Sequence, residues 1–365
     1  MDNKNLIFFA PSLEDGGVEK NLKMVANNLS NKFSEISLIT FDNIQKKDFN
    51  KKINFILPKR NFLNSNLRKF KFISCSYLLF KSLLRNRKQT VISFQGNVYS
   101  IIVCKLLFVK IIIRSNVSPI IWKNNLSKLI FYKFIYSFAD KIIVNSKNFQ
   151  LQMKSLLNLK TICIYNPLDK NKILSLSKKK INVNFFEKKR INILHVGRLV
   201  KQKNQKCLIN ALTDLKNTIP FKLIIIGKGN NKKYLENLVK KNNMSNFIKF
   251  LPYKKNPYPY FIKSDLFILT SLYEGSPNVL TEAILLKNCI ISSDCSSGPS
   301  EILLNGKGGL LFKNDDYEDL KKKILYLFKN REICNKKKKI AYNSLGRFNS
   351  TKNLSKYYNL IRGLN

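Results

Sequence analysis

Glu274 and Glu282 stand eight residues apart in YEGSPNVLTEAILL, which runs from Tyr273 to Leu286, with one carboxylate before a helix start and one inside the helix. Ser276 suits the N-cap and Pro277 the first helical position, where a missing N–H costs nothing. The amides of Asn278, Val279 and Leu280 would then point out of the helix start, an end that attracts anions through its dipole and unpaired N–H groups. Glu282 follows Asn278 by four residues and shares its face, so a phosphate bound there would have one carboxylate near each end. A carboxylate repels a phosphate. Both acids therefore read better as acceptors for hydroxyl groups, such as those of a sugar and a ribose, than as phosphate ligands. Spacing alone equally admits a loop carboxylate followed by a solvated helix residue.

Cations are placed to complement that pair. Arg198 and Lys203 lie in GRLVKQKN, directly after an apolar run, and an Arg fork with a Lys point charge in one strand-to-helix loop can clamp a diphosphate. With 66 basic residues in the chain, two more in a loop carry little weight alone. Gly227 and Gly229 in IIGKGN mark another strand exit. Gly16 and Gly17 open the first helical pattern and would let a ligand approach the backbone, or would simply form a tight turn. Neither G-x-G-x-x-G nor G-x-x-x-x-G-K-[ST] occurs, so a dinucleotide fingerprint and a P-loop are unsupported. The single histidine, His195, sits in the apolar run ILHV and reads as a packed strand residue. Chemistry that needs several histidines is excluded by inventory. In the first half Asp15, Glu19 and Asp140 remain as acidic candidates without distinctive neighbours.

The elements that must hold these residues alternate in type. β-branched and aromatic runs, polar or glycine-bearing loops and helix-period segments follow one another, which predicts parallel sheets covered by helices. In the first half the strands are Leu6–Ala10, Ile36–Phe41, Thr90–Phe94, Ile111–Arg114, Lys141–Asn145 and Thr161–Tyr165. In the second they are Ile191–Val196, Phe221–Ile226, Ile248–Leu251, Leu266–Thr270, Cys289–Ser292 and Gly309–Phe312. The expected fold class is α/β, two Rossmann-like doubly wound domains facing across a cleft where strand carboxyl ends bind ligands. The expected division is a first domain over 1–167, a lysine-rich linker over 168–190, a second domain over 191–345, and a C-terminal helix over 346–365 packing back towards the first domain.

At 365 residues the chain fits two domains of ordinary size. Its +44 charge directs attention to nucleic acid or an anionic membrane. The charge is spread between the halves: 27 basic and 8 acidic residues up to Pro167, then 39 and 14, or +19 and +25. No interleaved aromatic and basic motif supports specific nucleic-acid binding. Asn66 to Lys88 mixes basic and apolar residues at near-helical spacing and suits either an anionic bilayer or a surface helix with one side in the core. Seven cysteines without C-x-x-C or metal-like spacing predict a reduced, cytoplasmic protein. MDNKNLIFFAPSLEDGG lacks the plan of a signal peptide, and Val98 to Ile113, cut by Lys105 and Lys110, is short for a bilayer.

HVGRLVKQKNQKCLINAL, NPYPYFIKSDLFILTSLYEGSPNVLTEA and ISSDCSSGPSEILLNGKGGLLF, in that order, resemble the retaining glycosyltransferases of family 4, which have the GT-B fold. The resemblance implies that Glu274 and Glu282 form the family's E-x7-E pair, the first near donor-sugar hydroxyls and the second at the ribose. It implies that Arg198 and Lys203 neutralise the departing diphosphate and that Gly16 and Gly17 close over the donor. Gly275, Ser276, Asn278, Val279 and Leu280 would meet sugar and phosphate oxygens, Gly227 would belong to the donor loops, and Leu251 to Tyr253 would lie near the base. The implied reaction moves a hexose or N-acetylhexosamine, with retention and without a metal or other cofactor, from a nucleotide sugar, UDP-linked by preference. The implied acceptor is a glycan, polyprenyl-linked or part of a surface polysaccharide, and the implied location is the cytoplasmic face of the inner membrane. A sugar-nucleotide epimerase or hydrolase of the same fold is the alternative. Many family members carry a histidine beside the reacting sugar in the first domain. RSNVSP, at Arg114 to Pro119, occupies a comparable stretch here and has none.

Overall fold

The structure, a computed structural model, describes residues 2–14, 16–42, 46–58 and 68–364. Its two compact units divide the chain as Met1–Pro167 with Ser350–Asn365, and Leu168–Asn349.

In the first unit β1 (Asp2–Phe9), α1 (Gly17–Leu29), β2 (Phe33–Ile39) and β3 (Ile53–Ile56) are followed by α2 (Arg68–Arg85), β4 (Gln89–Ser93) and α3 (Asn97–Leu106). Then come β5 (Ile111–Arg114), α4 (Leu126–Ser137), β6 (Lys141–Val144), α5 (Lys147–Leu157) and β7 (Ile162–Cys163). The strands form one parallel sheet in the order β3-β2-β1-β4-β5-β6-β7. Strands such as IIIR and KIIV are almost wholly apolar because helices cover both sheet faces. Leu22, Val25, Ala26 and Leu29 of α1 pack on one face. Cys75, Leu79 and Leu83 of α2, with Ile101 and Cys104 of α3, pack on the other.

The second unit runs α6 (Lys170–Ser177), β8 (Ile191–Val196), α7 (Gln205–Leu215), β9 (Phe221–Ile226), α8 (Lys232–Lys241), β10 (Ile248–Leu251), α9 (Tyr258–Ile262) and β11 (Leu266–Leu269). It continues through α10 (Asn278–Leu285), β12 (Cys289–Ser293), α11 (Gly298–Ile302), β13 (Leu310–Phe312), α12 (Tyr317–Lys329) and α13 (Arg331–Asn343). Its parallel sheet has the order β10-β9-β8-β11-β12-β13. The direction of winding therefore reverses between β8 and β11. Open α/β sheets take ligands in a crevice beyond the strand carboxyl ends at such a reversal. The last helix, α14 (Ser350–Arg362), belongs to the first unit, where Leu354, Tyr357 and Ile361 join the core beside α1.

Several elements lie outside the sequence expectation. The four-residue strand β3 is a sheet edge, too short to show a period. α5 buries Phe149, Met153 and Leu157 at helical spacing, and its N-cap Ser146 accepts a hydrogen bond from Phe149 N at 3.1 Å. α13, REICNKKKKIAYN, buries Ala341 and half-buries Ile333, Cys334 and Ile340, with Lys337 and Lys338 on the same face. It packs on β12 and sets Cys334 beside Cys289, with Cα atoms 5.6 Å apart. Cys75, Cys104, Cys163, Cys207 and Cys295 are buried. Among the described residues no helix is long and apolar enough to cross a membrane.

Candidate functional site

The turn after β8 and the turn after β11 meet at the switch point of the second sheet. Lys203 ends a short 3-10 turn, Lys201–Lys203, and its Nζ pairs with Glu274 Oε1. Ser271 Oγ donates to the same carboxylate oxygen at 2.7 Å. The side chains of Lys203 and Glu274 are only 13% and 10% exposed, so the charges attract through a medium that screens them less than bulk water. Both hydrogen bonds to Glu274 from the described residues fall on Oε1, and none falls on Oε2.

The backbone around this pair is fixed from several sides. Leu272 N donates to Gln202 O at 2.8 Å, Gln202 Nε2 to Tyr273 O at 2.9 Å, and Thr270 Oγ1 to Lys203 O at 2.9 Å. From the turn after β12, Ser293 Oγ donates to Ser271 O at 2.6 Å and Ser297 Oγ to Glu274 O at 2.8 Å. Ser297 has φ of +92°, a conformation costing a non-glycine residue about 1–3 kcal/mol and held only where its surroundings impose it. A Cβ at Gly298 would lie 2.5 Å from Gly275 O, so only glycine permits that approach. Ser271, Ser293, Ser297 and Gly298 hold Glu274 in place, and reading the carboxylate pair alone misses them. The signal was the segment DCSSGPSEIL, whose small residues allow the turns to close on one another.

The helix start differs from the expected one. α10 begins at Asn278 with Pro277 in the N-cap position, one residue later than Ser276 and Pro277 suggested. Leu280 N donates to Pro277 O at 3.1 Å, which withdraws it from the three amides expected to face a ligand. Glu282, in the second turn of α10, is only 7% exposed, so the solvated-residue alternative does not hold. Gly275 is buried, and Ser276, Asn278 and Val279 are half-buried.

Arg198 is exposed at the rim, with Nη2 3.5 Å from Gln202 Oε1. A Cβ at Gly227 would fall 1.9 Å from Gly197 O, so that glycine is required by the packing of the β8 and β9 exits on one another. Gly229, with φ of +156°, is held likewise against Leu199 O. Leu251 ends β10 and accepts from Gly227 N at 3.1 Å, while Lys228 Nζ lies 5.2 Å from the ring of exposed Tyr253. All these loops leave the same edge because every strand in the sheet is parallel.

His195 supports this edge without reaching it. Ile268 O can only accept, so Nδ1, 2.9 Å away, carries the proton and Nε2 accepts from Gln205 Nε2 at 3.2 Å. The same Gln205 nitrogen donates to Arg198 O at 2.9 Å, linking β11, β8 and the Arg198 turn. Burial brings the His195 pKa down to about 4 from 6.5, against an opposing contribution from the Ile268 carbonyl. A base with a depressed folded pKa stays neutral while the unfolded chain takes up a proton, so stability falls as pH drops from 6.5 towards 4. The shift corresponds to a loss of about 3 kcal/mol across that window. Urea unfolding of His195→Asn should lack this component, with a shallower acid slope than the unsubstituted chain; identical slopes would refute the assignment.

Among the described residues no group of His, Cys, Asp and Glu is arranged to hold a metal ion. Cys295, close to Glu274, has its thiol pushed up to about 12 by burial first and the carboxylate charge second, so it is not a nucleophile at neutral pH.

In the first unit Gly16 caps α1 in an extended conformation, and a Cβ there would meet the movable end of Glu19 at 2.6 Å. Gly17 is the first residue of α1. Glu19 is buried and accepts from Gln95 Nε2 at 2.7 Å. Asp140 accepts from Ile111 N at 2.8 Å and pairs with Lys105 at 2.9 Å, a role in the fold. Asp15 lies outside the described residues. Arg114, 1% exposed, donates to the side-chain oxygens of Asn116 and Asn166 and lies 5.3 Å from the Phe94 ring.

Comparison with known proteins agrees with this architecture. The model of the family described as "Glycosyl transferases group 1" matches residues 177–360. An uncharacterized glycosyltransferase, MJ1059 of Methanocaldococcus jannaschii, is 33% identical over 268 residues, 68% of this chain and 66% of that protein. The N-acetylgalactosamine-N,N'-diacetylbacillosaminyl-diphospho-undecaprenol 4-alpha-N-acetylgalactosaminyltransferase of Campylobacter jejuni is 30% identical over 327 residues, 86% of this chain and 87% of that protein. Among solved structures, Anabaena Alr3699/HepE in complex with UDP-glucose aligns with a TM-score of 0.76 at 18% identity, covering 99% of this chain and all of that one, a likeness of fold.

Proposed function

The chain belongs to the group 1 glycosyl transferases and has two Rossmann-like units of the GT-B kind, and from that premise we propose that it transfers a hexose or N-acetylhexosamine, with retention and without a required metal, from a UDP-sugar to a polyprenyl-linked glycan acceptor. The observation that carries the reading is the Lys203–Glu274 pair at the switch point, with Ser271 on one carboxylate oxygen and the other unclaimed by any described residue. A diphosphate brings more negative charge than one carboxylate. Donor binding would therefore draw Lys203 from Glu274 to the phosphates and release Glu274 to accept a sugar hydroxyl.

In the step proposed, the bond from the anomeric carbon to the β-phosphate oxygen breaks and a bond to the acceptor oxygen forms on the same face. The acceptor proton passes to the departing phosphate, and nothing is oxidised or reduced. Lys203 and Arg198 stabilise the charge that grows on the diphosphate, aided by the amides at the start of α10. Glu282 takes the ribose hydroxyls, the Leu251–Tyr253 edge takes the base, and Gly227, Gly275 and Ser276 shape the walls. In the first unit the reading assigns donor contact to the Gly16–Gly17 turn.

UDP-glucose is bound by the Anabaena structure, and the Campylobacter relative is named for transfer of N-acetylgalactosamine to a diphospho-undecaprenol glycan; both support the choice of donor and acceptor class. The test is a panel of UDP-sugars incubated with the full chain, with and without undecaprenyl-diphosphate-linked saccharide. The reading predicts a lengthened lipid-linked saccharide from at least one UDP-sugar and slow donor loss without acceptor. Donor consumption at the same rate without acceptor would instead mark an epimerase or hydrolase.

A further inference from the structure

Sixteen of the 25 large apolar side chains exposed among the described residues lie between Phe70 and Phe138, in one part of the first unit. Scattered exposed apolar residues need no explanation, but these are ordered. α2 buries Cys75, Leu79 and Leu83 against the sheet and turns Phe70, Ile73, Tyr77, Phe80 and Leu84 outward, at the three- and four-residue spacing of a second helical stripe. α3 repeats the pattern with Tyr99, Ile102 and Leu106, and α4 with Leu126, Ile130 and Phe134. α2 packs on α3 and α3 on α4, on the same sheet face, so the three stripes lie side by side. Beyond α3, Phe108 is 91% exposed at φ of +57°, a conformation uncommon for a bulky residue, with its ring in solvent.

Charge identifies the occupant. From Phe49 to Ala139 the sequence has 17 Lys or Arg and no Asp or Glu, a local bias that the even division of net charge between the halves conceals. Between Arg68 and Lys133 ten of these cations are exposed, Lys81, Arg85, Lys128 and Lys133 among them on the same helices as the stripes. A second copy of this surface would bring cations against cations. We propose that the outer faces of α2, α3 and α4 form a docking surface for an anionic lipid bilayer, with the apolar stripes entering the interface and the Lys and Arg side chains meeting lipid headgroups. By sequence Asn66 to Lys88 suits either a bilayer or a surface helix with one side in the core; the structure adds two further helices and the α3–β5 turn, while Asn66 and Leu67 lie outside the described residues. The inference rests on this surface and is independent of the sugar-transfer reading.

Trp122, the only tryptophan of the chain, stacks on Tyr132 of α4 with ring centroids 3.8 Å apart and so reports from beside the surface. The full chain is mixed with vesicles of phosphatidylcholine, alone or with about 30% phosphatidylglycerol, some carrying brominated acyl chains. Expected are sedimentation with the anionic vesicles, binding about tenfold or more weaker to neutral ones, and quenching of Trp122 by the brominated chains. Ile130→Ser with Phe134→Ser, at exposed positions, should weaken anionic binding about tenfold while leaving the melting temperature unchanged. Absence of binding to anionic vesicles, binding that the double variant leaves intact, or binding without quenching would each overturn the proposal. So would a concentration-dependent dimer that the double variant abolishes and vesicles do not compete with.

Discussion

Glu274→Gln is expected to lower sugar transfer about 100-fold or more while the chain stays folded. The glutamine has the shape of the original side chain, and its carbonyl oxygen can still accept from Ser271 Oγ and Lys203 Nζ, the partners of Glu274 Oε1. Its NH2 group replaces Oε2, the atom that no described residue claims. An acceptor poised for a sugar hydroxyl becomes a donor, and the negative charge that orders Lys203 is removed. The stability cost should be about 1–3 kcal/mol, the value of a charged hydrogen bond. Transfer rates on lipid-linked acceptor with saturating UDP-sugar, alongside thermal unfolding, separate the two effects. Full activity would remove Glu274 from the reaction; loss of activity together with loss of the folded state would reduce it to a structural residue.

The second large effect belongs to Lys203. Lys203→Met keeps an unbranched stem of comparable length and removes the charge, so the leaving diphosphate loses a preorganised cation; transfer should fall about 100- to 1,000-fold. UDP binding should weaken too, by about tenfold or more, since a charge-assisted contact is lost. Glu274 is then left with Ser271 as its hydrogen-bond donor in a site only 10% exposed, and the chain is destabilised. The double variant Lys203→Met/Glu274→Gln discriminates between roles. If the pair only supports the fold, the double variant regains stability and activity together. On the present account it regains stability, with a coupling of about 1 kcal/mol or more, while transfer stays lost.

The site was legible where side-chain chemistry and strand alternation coincide. Arg198, Lys203, Glu274 and Glu282 are candidates by charge and spacing without being decided by them, and the strands that position them, Ile191–Val196 and Leu266–Leu269, have the near-continuous apolar character of buried parallel strands. What escaped was tertiary. That Lys203 and Glu274 neutralise each other across 71 residues, and that Ser293 and Ser297 hold the Glu274 turn from the next strand exit, depends on the strand order β8-β11-β12 rather than on local sequence. The close approach of Gly227 to Gly197 O, which requires a glycine there, is likewise a tertiary fact. The helix start moved by one residue because Pro277 itself takes the cap position, at ψ of 112°. α13 escaped because its inward face, Ile333, Cys334, Ile340 and Ala341, is interrupted by Lys337 and Lys338. The outward stripes of α3 and α4 escaped for the opposite reason, since a helix apolar on both sides looks in sequence like an ordinary core helix, whereas α2 lies in the segment whose basic and apolar spacing already suits a bilayer.

The central claim is that a nucleotide sugar occupies the edge of the second sheet between the β8 and β11 exits. Backbone hydrogen exchange of the full chain, with and without UDP in metal-free buffer, tests it most directly. Slowed exchange is expected in two separated segments, Gly197 to Asn204 and Ser271 to Val279, because a bound nucleotide would order both turns together; the protection should be lost in Lys203→Met. Protection confined to other parts of the chain, or UDP binding that leaves both segments exchanging at their free rates, would contradict it.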